Sequence, residues 1–205
     1  MRHLLHIGLI AQGGRNWVGG LELTKNLTVA VTQYCRSIDR EVKVTVFGTD
    51  GAQGSLVDFP SGDNIEFVDY PSAPRASVVR RISNRYLFLD RIWRSPRNRE
   101  LARDCDARGI DFVYPIAGLP ASSGCRSAAW IPDLQHCRLP QLFTQKDRQS
   151  RDAMFKSFAE TANRIVFSSH DAERDFAEFF PEAAAKTTVL PFRVIMPIDA
   201  LNQPK

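Results

Sequence analysis

Asp133, His136 and Arg138 stand within one short segment, WIPDLQHCRLPQLFT (Trp130–Thr144). A β-rich run leads into it, and Pro132 and Pro140 stiffen the loop. A carboxylate, an imidazole and a guanidinium are therefore expected at the end of a strand. An imidazole there can hydrogen-bond a hydroxyl, neutralise a phosphate or pass a proton. The same residues also have a structural explanation, with Asp133 fastening the loop backbone and His136 a satisfied edge residue. The second candidate is AQGGRNWVGG (Ala11–Gly20), which opens straight into a helical pattern. Gly19 and Gly20 would leave unhindered N–H groups at the positive end of a helix dipole, a setting suited to phosphate or diphosphate. A tight strand-to-helix turn accounts for the same glycines without a ligand. The loop is neither G-x-G-x-x-G nor followed by G-K-[ST], so dinucleotide and P-loop readings lose their specific support.

Other reactive residue types carry less. His3 and His6 belong to the first strand and read as structural, and His170 falls in the exposed first turn of a helix. Cys35, Cys105, Cys125 and Cys137 form no C-x-x-C pair and no zinc-ligand spacing, so neither a disulfide framework nor a metal site is expected. A reducing, cytoplasmic setting fits that usage. The net charge of +4 is concentrated: from Arg75 to Arg103 there are nine arginines against Asp90 and Glu100, a local excess of +7 that leaves −3 elsewhere. Tyr86, Phe88 and Trp93 interleave with these arginines but share the apolar side of the same helical pattern, which argues against a nucleic-acid groove. A solvated basic face is the plain reading. Contact of Arg80, Arg81, Arg85 and Arg91 with an anionic membrane surface is the functional one.

The elements that must position these residues follow from periodicity. At 205 residues and 43% hydrophobic content the chain can bury a sizeable core. Strands are expected near Leu4–Ile10, Val42–Phe47, Ile65–Val68, Phe112–Tyr114, Ala128–Ile131, Arg164–Phe167 and Thr188–Leu190, with helices between them. The first helix, about Leu21–Cys35, would bury Leu23, Leu27, Ala30, Val31 and Tyr34, and a second would run from Val78 to Trp93. Thr144 would cap a third helix that packs through Phe155, Phe158 and Ala162, and Ser168 or Ser169 a fourth. This alternation gives an α/β fold, a Rossmann-like doubly wound, mainly parallel sheet of about seven strands with helices on both faces. Residues 1–192 form that domain, and 193–205 read as an exit linker. Ligands in such sheets lie beyond the carboxyl ends of the strands, which selects the loops Ala11–Gly20, Pro115–Gly124 and Pro132–Pro140. No stretch approaches the ~18 apolar residues of a membrane span.

Taken together, NWVGGLELTKNL (Asn16–Leu27), WIPDLQHCRLPQLFT, the pair Arg148 and Arg151, IVFSSHDAERDF (Ile165–Phe176) and TTVLPF (Thr187–Phe192) resemble, in order and spacing, the N-terminal domain of bacterial glycosyltransferase family 4 enzymes. The resemblance covers essentially the whole chain, with Ala52–Arg108 matching in pattern only. Leu23 and Thr24 stand where similar proteins often have an aromatic residue. The resemblance implies half of a two-domain GT-B architecture, with the acceptor held mainly by this half and a nucleotide-sugar donor mainly by a C-terminal domain absent from this chain. It implies a retaining transfer to a glycan or lipid-linked acceptor, as in polysaccharide or lipopolysaccharide synthesis, without metal or other cofactor. Gly19 and Gly20 would approach the donor diphosphate, Asp133 and His136 would be the catalytic residues of the acceptor side, and Asn16, Trp17 and Arg138 would contact the acceptor. The location implied is cytoplasmic, peripheral on the inner face of the plasma membrane. The alternative is a stand-alone, non-catalytic module that binds a nucleotide or an anionic glycolipid. A NAD-type dehydrogenase is disfavoured by the missing fingerprint.

Overall fold

The computed structural model describes residues 4–11, 18–48, 59–70, 96–116, 118–119 and 122–193. The order is β1 (Leu5–Ile10), α1 (Val18–Ser37), β2 (Val42–Gly48), β3 (Ile65–Asp69), α2 (Pro96–Arg108), β4 (Phe112–Tyr114), β5 (Arg126–Ser127) and β6 (Ala129–Ile131). It continues with α3 (Gln135–Arg138), α4 (Gln145–Thr161), β7 (Ile165–Phe167), α5 (His170–Phe179) and β8 (Thr187–Val189), with 3-10 turns at Pro140–Leu142 and Pro181–Lys186. The helix expected over Val78–Trp93, with Arg80, Arg81, Arg85 and Arg91, lies outside the described residues, as do Asn16, Trp17 and 194–205.

Among the described residues every strand pairing is parallel, in a five-stranded sheet of order β3-β2-β1-β4-β5 and a three-stranded sheet of order β6-β7-β8. The strand expected at Ala128–Ile131 begins earlier and changes neighbour at Ala128. The Ala128 N–H donates to the Val113 carbonyl at 3.4 Å, whereas the Ala129 N–H donates to Arg164 at 2.9 Å. One stretch of chain thus serves β4 with its first half and β7 with its second. The central strands are buried on both faces, which is why LHIGLI and VKVTVFG read as nearly continuous apolar runs. Gly8 sits where β1 is most crowded: a Cβ there would stand 3.2 Å from both Phe47 and Val113 side chains.

Helix α1 buries a face rotated from the one expected. Leu21, Thr24, Thr28 and Cys35 point inward with Leu23, while Tyr34 is 65% exposed. Polarity misleads here because each threonine hydroxyl is satisfied by its own helix: Thr24 donates to Gly20, Thr28 to Thr24 and Thr32 to Thr28, at 2.8–3.0 Å. The helix ends on Asp39 at φ 51°, and α2 ends on Gly109 at φ 66°. The cap at Thr144 is formed as expected, accepting from the Asp147 N–H at 3.2 Å and donating to its carboxylate. Ser169, rather than Ser168, caps α5 through the Ala172 N–H.

His6 is buried, and its Nδ1 lies 3.0 Å from the Arg108 carbonyl, which can only accept. Nδ1 therefore carries the proton, and Nε2 accepts from the Thr45 hydroxyl at 2.8 Å. Burial, partly opposed by the Arg108 hydrogen bond, pushes its pKa below the ordinary 6.5. The unfolded chain then takes up a proton at a pH where the folded chain does not, so stability is full above about pH 6.5 and declines as pH falls through it. Glu66, held below the ordinary 4.5 foremost by Lys43 and then by Arg108, loses its contribution only at lower pH. We expect thermal melts to show a first decline in Tm between roughly pH 7 and pH 5, flattened in His6→Gln. An unaltered decline in that variant would assign it to another group.

Candidate functional site

The order β3-β2-β1-β4-β5 reverses between β1 and β4, and in sheets of this kind ligands lie beyond the carboxyl ends of the strands at such a point. Ala11 follows β1 and Tyr114 ends β4, and both are buried. Helix α1 begins nearby at Val18, and the first amides of a helix have no acceptor within it. Gly19 and Gly20 both fall in this first turn, Gly19 exposed and Gly20 buried. The helix thus starts three residues before the expected Leu21, which puts Gly19 and Gly20 inside its first turn rather than in the loop that precedes it.

The segment after β6 is pinned at three points. Asp133 Oδ1 accepts from the Gln135 N–H at 3.1 Å, closing a turn, and lies 3.7 Å from the Arg151 guanidinium. The side chain of His136 is 1% exposed, and its ring packs edge-on against Phe155 and Phe143 with centroids 5.3 and 6.3 Å away. Its Nε2 is 3.0 Å from Asp152 Oδ1 on α4. Arg138 turns the other way, donating to Asp175 from Nε at 2.9 Å and pairing with Glu178, with Phe179 beneath its guanidinium. Those two carboxylates, Asp175 first, hold its pKa well above the ordinary arginine range.

The structure therefore brings Asp133 and His136 to adjacent residues of α4, Arg151 and Asp152, and separates Arg138 from them by tying it to α5. The sequence places His136 at a cleft edge; the ring instead forms part of the wall beneath that edge. An open cleft of about 890 Å³ adjoins it, lined on α4 by Gln145, Arg148, Asp152 and Lys156 and closed by Phe179 and Phe180.

No family model matches the chain, and no curated protein does. Solved structures do. Arabidopsis thaliana UGT89C1 complexed with UDP is matched with a TM-score of 0.50 at 15% identity, over 95% of this chain and 50% of that one. The fold is the Rossmann-like half of a GT-B architecture. Anabaena Alr3699/HepE in complex with UDP is matched at 14% identity and a TM-score of 0.46, over 92% of this chain and 44% of that one. The chain thus spans about half the length of the structures it resembles.

Sequence reasoning misses Asp152, Lys156 and the acids of α5 as partners. A signal is present, since Arg148, Asp152 and Lys156 recur every four residues and share one helix face. Cys137, which no spacing motif marks, lies with its Sγ 3.3 Å from His136 Nε2. Because the His136 ring fills space between two phenylalanines, we expect His136→Ala to lower stability in urea denaturation by about 2–4 kcal/mol. Asp152→Asn, at a largely exposed partner, should cost about 1 kcal/mol or less. Wild-type stability in His136→Ala would mean that the ring is no part of the core.

Proposed function

We propose that this chain is the acceptor-side half of a retaining, nucleotide-sugar-dependent glycosyltransferase, acting on a glycan or lipid-linked acceptor. The observation that carries the reading is the extent of the fold match, 95% of this chain against half of a UDP-complexed GT-B chain. The motifs resembling family 4 add the choice of retaining, metal-independent transfer. In this reading the α1 mouth at Gly19 and Gly20 meets the donor diphosphate, and a second domain supplies the other wall. Asn16 and Trp17 precede that mouth and contact the acceptor. Asp133 and His136 belong to the acceptor wall, where the burial of the His136 ring supports a part in setting the loop's shape. Arg138 takes part through α5, to which it is bound.

One wall of a donor site holds a ligand weakly. We expect the 205-residue chain alone to show no sugar transfer and an affinity for any nucleotide sugar no tighter than roughly millimolar by calorimetry. Joined to a donor-binding domain, it should transfer sugar with the anomeric configuration retained and with activity undiminished by EDTA. Micromolar binding by the chain alone would favour the stand-alone binding module instead.

Attachment to the inner face of an anionic membrane is part of the same proposal, supported by the +7 excess over Arg75–Arg103. No helix among the described residues is long and apolar enough to cross a membrane. Basic side chains near an anionic leaflet contribute about 1 kcal/mol each. Co-sedimentation with phosphatidylserine liposomes should be salt-sensitive and lost when Arg80, Arg81, Arg85 and Arg91 are all changed to Ala. Equal binding by that variant would eliminate the arginine patch as the anchor.

A further inference from the structure

His136, Cys137 and Asp152 each offer one ligating atom to a common point. His136 Nε2 lies 3.0 Å from Asp152 Oδ1 and 3.3 Å from Cys137 Sγ, and all three atoms fall within 4.8 Å of one another. We propose that they form a binding site for a divalent transition-metal ion of the zinc type, with a fourth coordination position facing the cleft beside α4. This ion site is separate from the sugar-transfer reading and takes no part in the transfer step.

Geometry supports the assignment. Zinc bonds of about 2.0–2.1 Å to nitrogen and oxygen and about 2.3 Å to sulfur, set tetrahedrally, require N···O and N···S separations of about 3.4 and 3.6 Å. The two separations from His136 Nε2, 3.0 and 3.3 Å, need to widen by a few tenths of an ångström, and Cys137 Sγ and Asp152 Oδ1, which lie within 4.8 Å of each other, need to settle at about 3.6 Å. Consecutive residues of α3 supply the nitrogen and sulfur, and α4 supplies the carboxylate, so the ion would clip two elements together. The gradient of exposure gives it an entry path: His136 is buried, Cys137 half-buried and the Asp152 side chain 60% exposed.

The donor set selects the metal. A thiolate with an imidazole and one carboxylate suits zinc or cobalt(II), and disfavours magnesium and calcium, which prefer all-oxygen shells. On binding, the Cys137 thiol releases its proton to solvent and the thiolate forms the metal–sulfur bond. Coordination through Nε2 places the ring proton on Nδ1. That atom is buried without a hydrogen-bond partner, and the Nε2 contact with Asp152 becomes a shared bond to the ion, so the metal bonds must outweigh the cost of an unpaired Nδ1–H. Arg148 and Lys156, which line the same cleft, favour an anion or hydroxide in the fourth position.

The test is cobalt titration of the chelator-stripped, desalted 205-residue chain. A single equivalent of Co²⁺ should produce the strong visible bands of four-coordinate cobalt together with a thiolate-to-metal charge-transfer band. Zn²⁺ should bleach both and raise Tm, whereas Mg²⁺ should do neither. Cys137→Ser should abolish the charge-transfer band and Asp152→Asn should weaken binding, with circular dichroism confirming that both remain folded. Because neither side chain is fully buried, these variants avoid the packing loss of His136→Ala. Absence of colour at one equivalent, or a charge-transfer band that survives Cys137→Ser and so arises from Cys35, Cys105 or Cys125, would overturn the proposal.

Discussion

The molecule is held together by the transfer of backbone hydrogen bonds at Ala128. Up to that residue the chain pairs with β4, and beyond it with β7, so residues 126–131 are the seam that joins the two sheets. Small side chains make the seam passable: Ala128 and Ala129 are 2% and 0% exposed and occupy little space. Ala128 belongs to a buried cluster that holds Leu9, Val44 and Tyr114 from one sheet and Val166 from the other. The carboxyl ends of β1 and β4 and the loop after β6 therefore take their relative placement from a few main-chain bonds. A loop set by backbone pairing is positioned more rigidly than one set by surface contacts.

Beyond the seam, the loop is secured by attachments of unequal worth. The Arg138 pairs with Asp175 and Glu178 and the Asp133–Arg151 pair are solvent-exposed, where such contacts contribute little each. The His136 ring is different, since it exchanges water for two aromatic neighbours. One buried imidazole thus fixes the loop's distance from α4, and the arginines set its direction. The polar end of that imidazole faces Asp152 and Cys137 at the margin of the cleft, so the ring that braces the loop also borders the adjoining space.

Much of this arrangement is legible in the sequence. Parallel strands buried on both faces announce themselves as apolar runs, and the caps at Thr144 and Ser169 follow from local chemistry that needs no tertiary information. The Rossmann-like class follows from the same alternation. What escapes are features created by distant partners. The split at Ala128 is invisible in SAAWI because pairing with β4 or with β7 makes the same demand on side-chain type. The α1 face is misread when Thr24 and Thr28 count as polar, because their hydroxyls are satisfied within the helix. His136 reads as an edge residue because Phe155 lies 19 residues away, and nothing local says that the ring turns toward it. The start of α1 is read three residues late, because glycines at 19 and 20 suggest a loop whereas the helix already begins at Val18.

Gly8 has a consequence for how this sequence can vary. It lies under the ring of Phe47 from the neighbouring strand, with Val113 from the other neighbour equally close. The missing side chain at 8 and the larger ones at 47 and 113 share one volume. A side chain at 8 needs both neighbours to yield, so a larger residue there fits only with smaller ones at 47 and 113. Among related chains position 8 should therefore vary with both, although 39 residues separate it from 47.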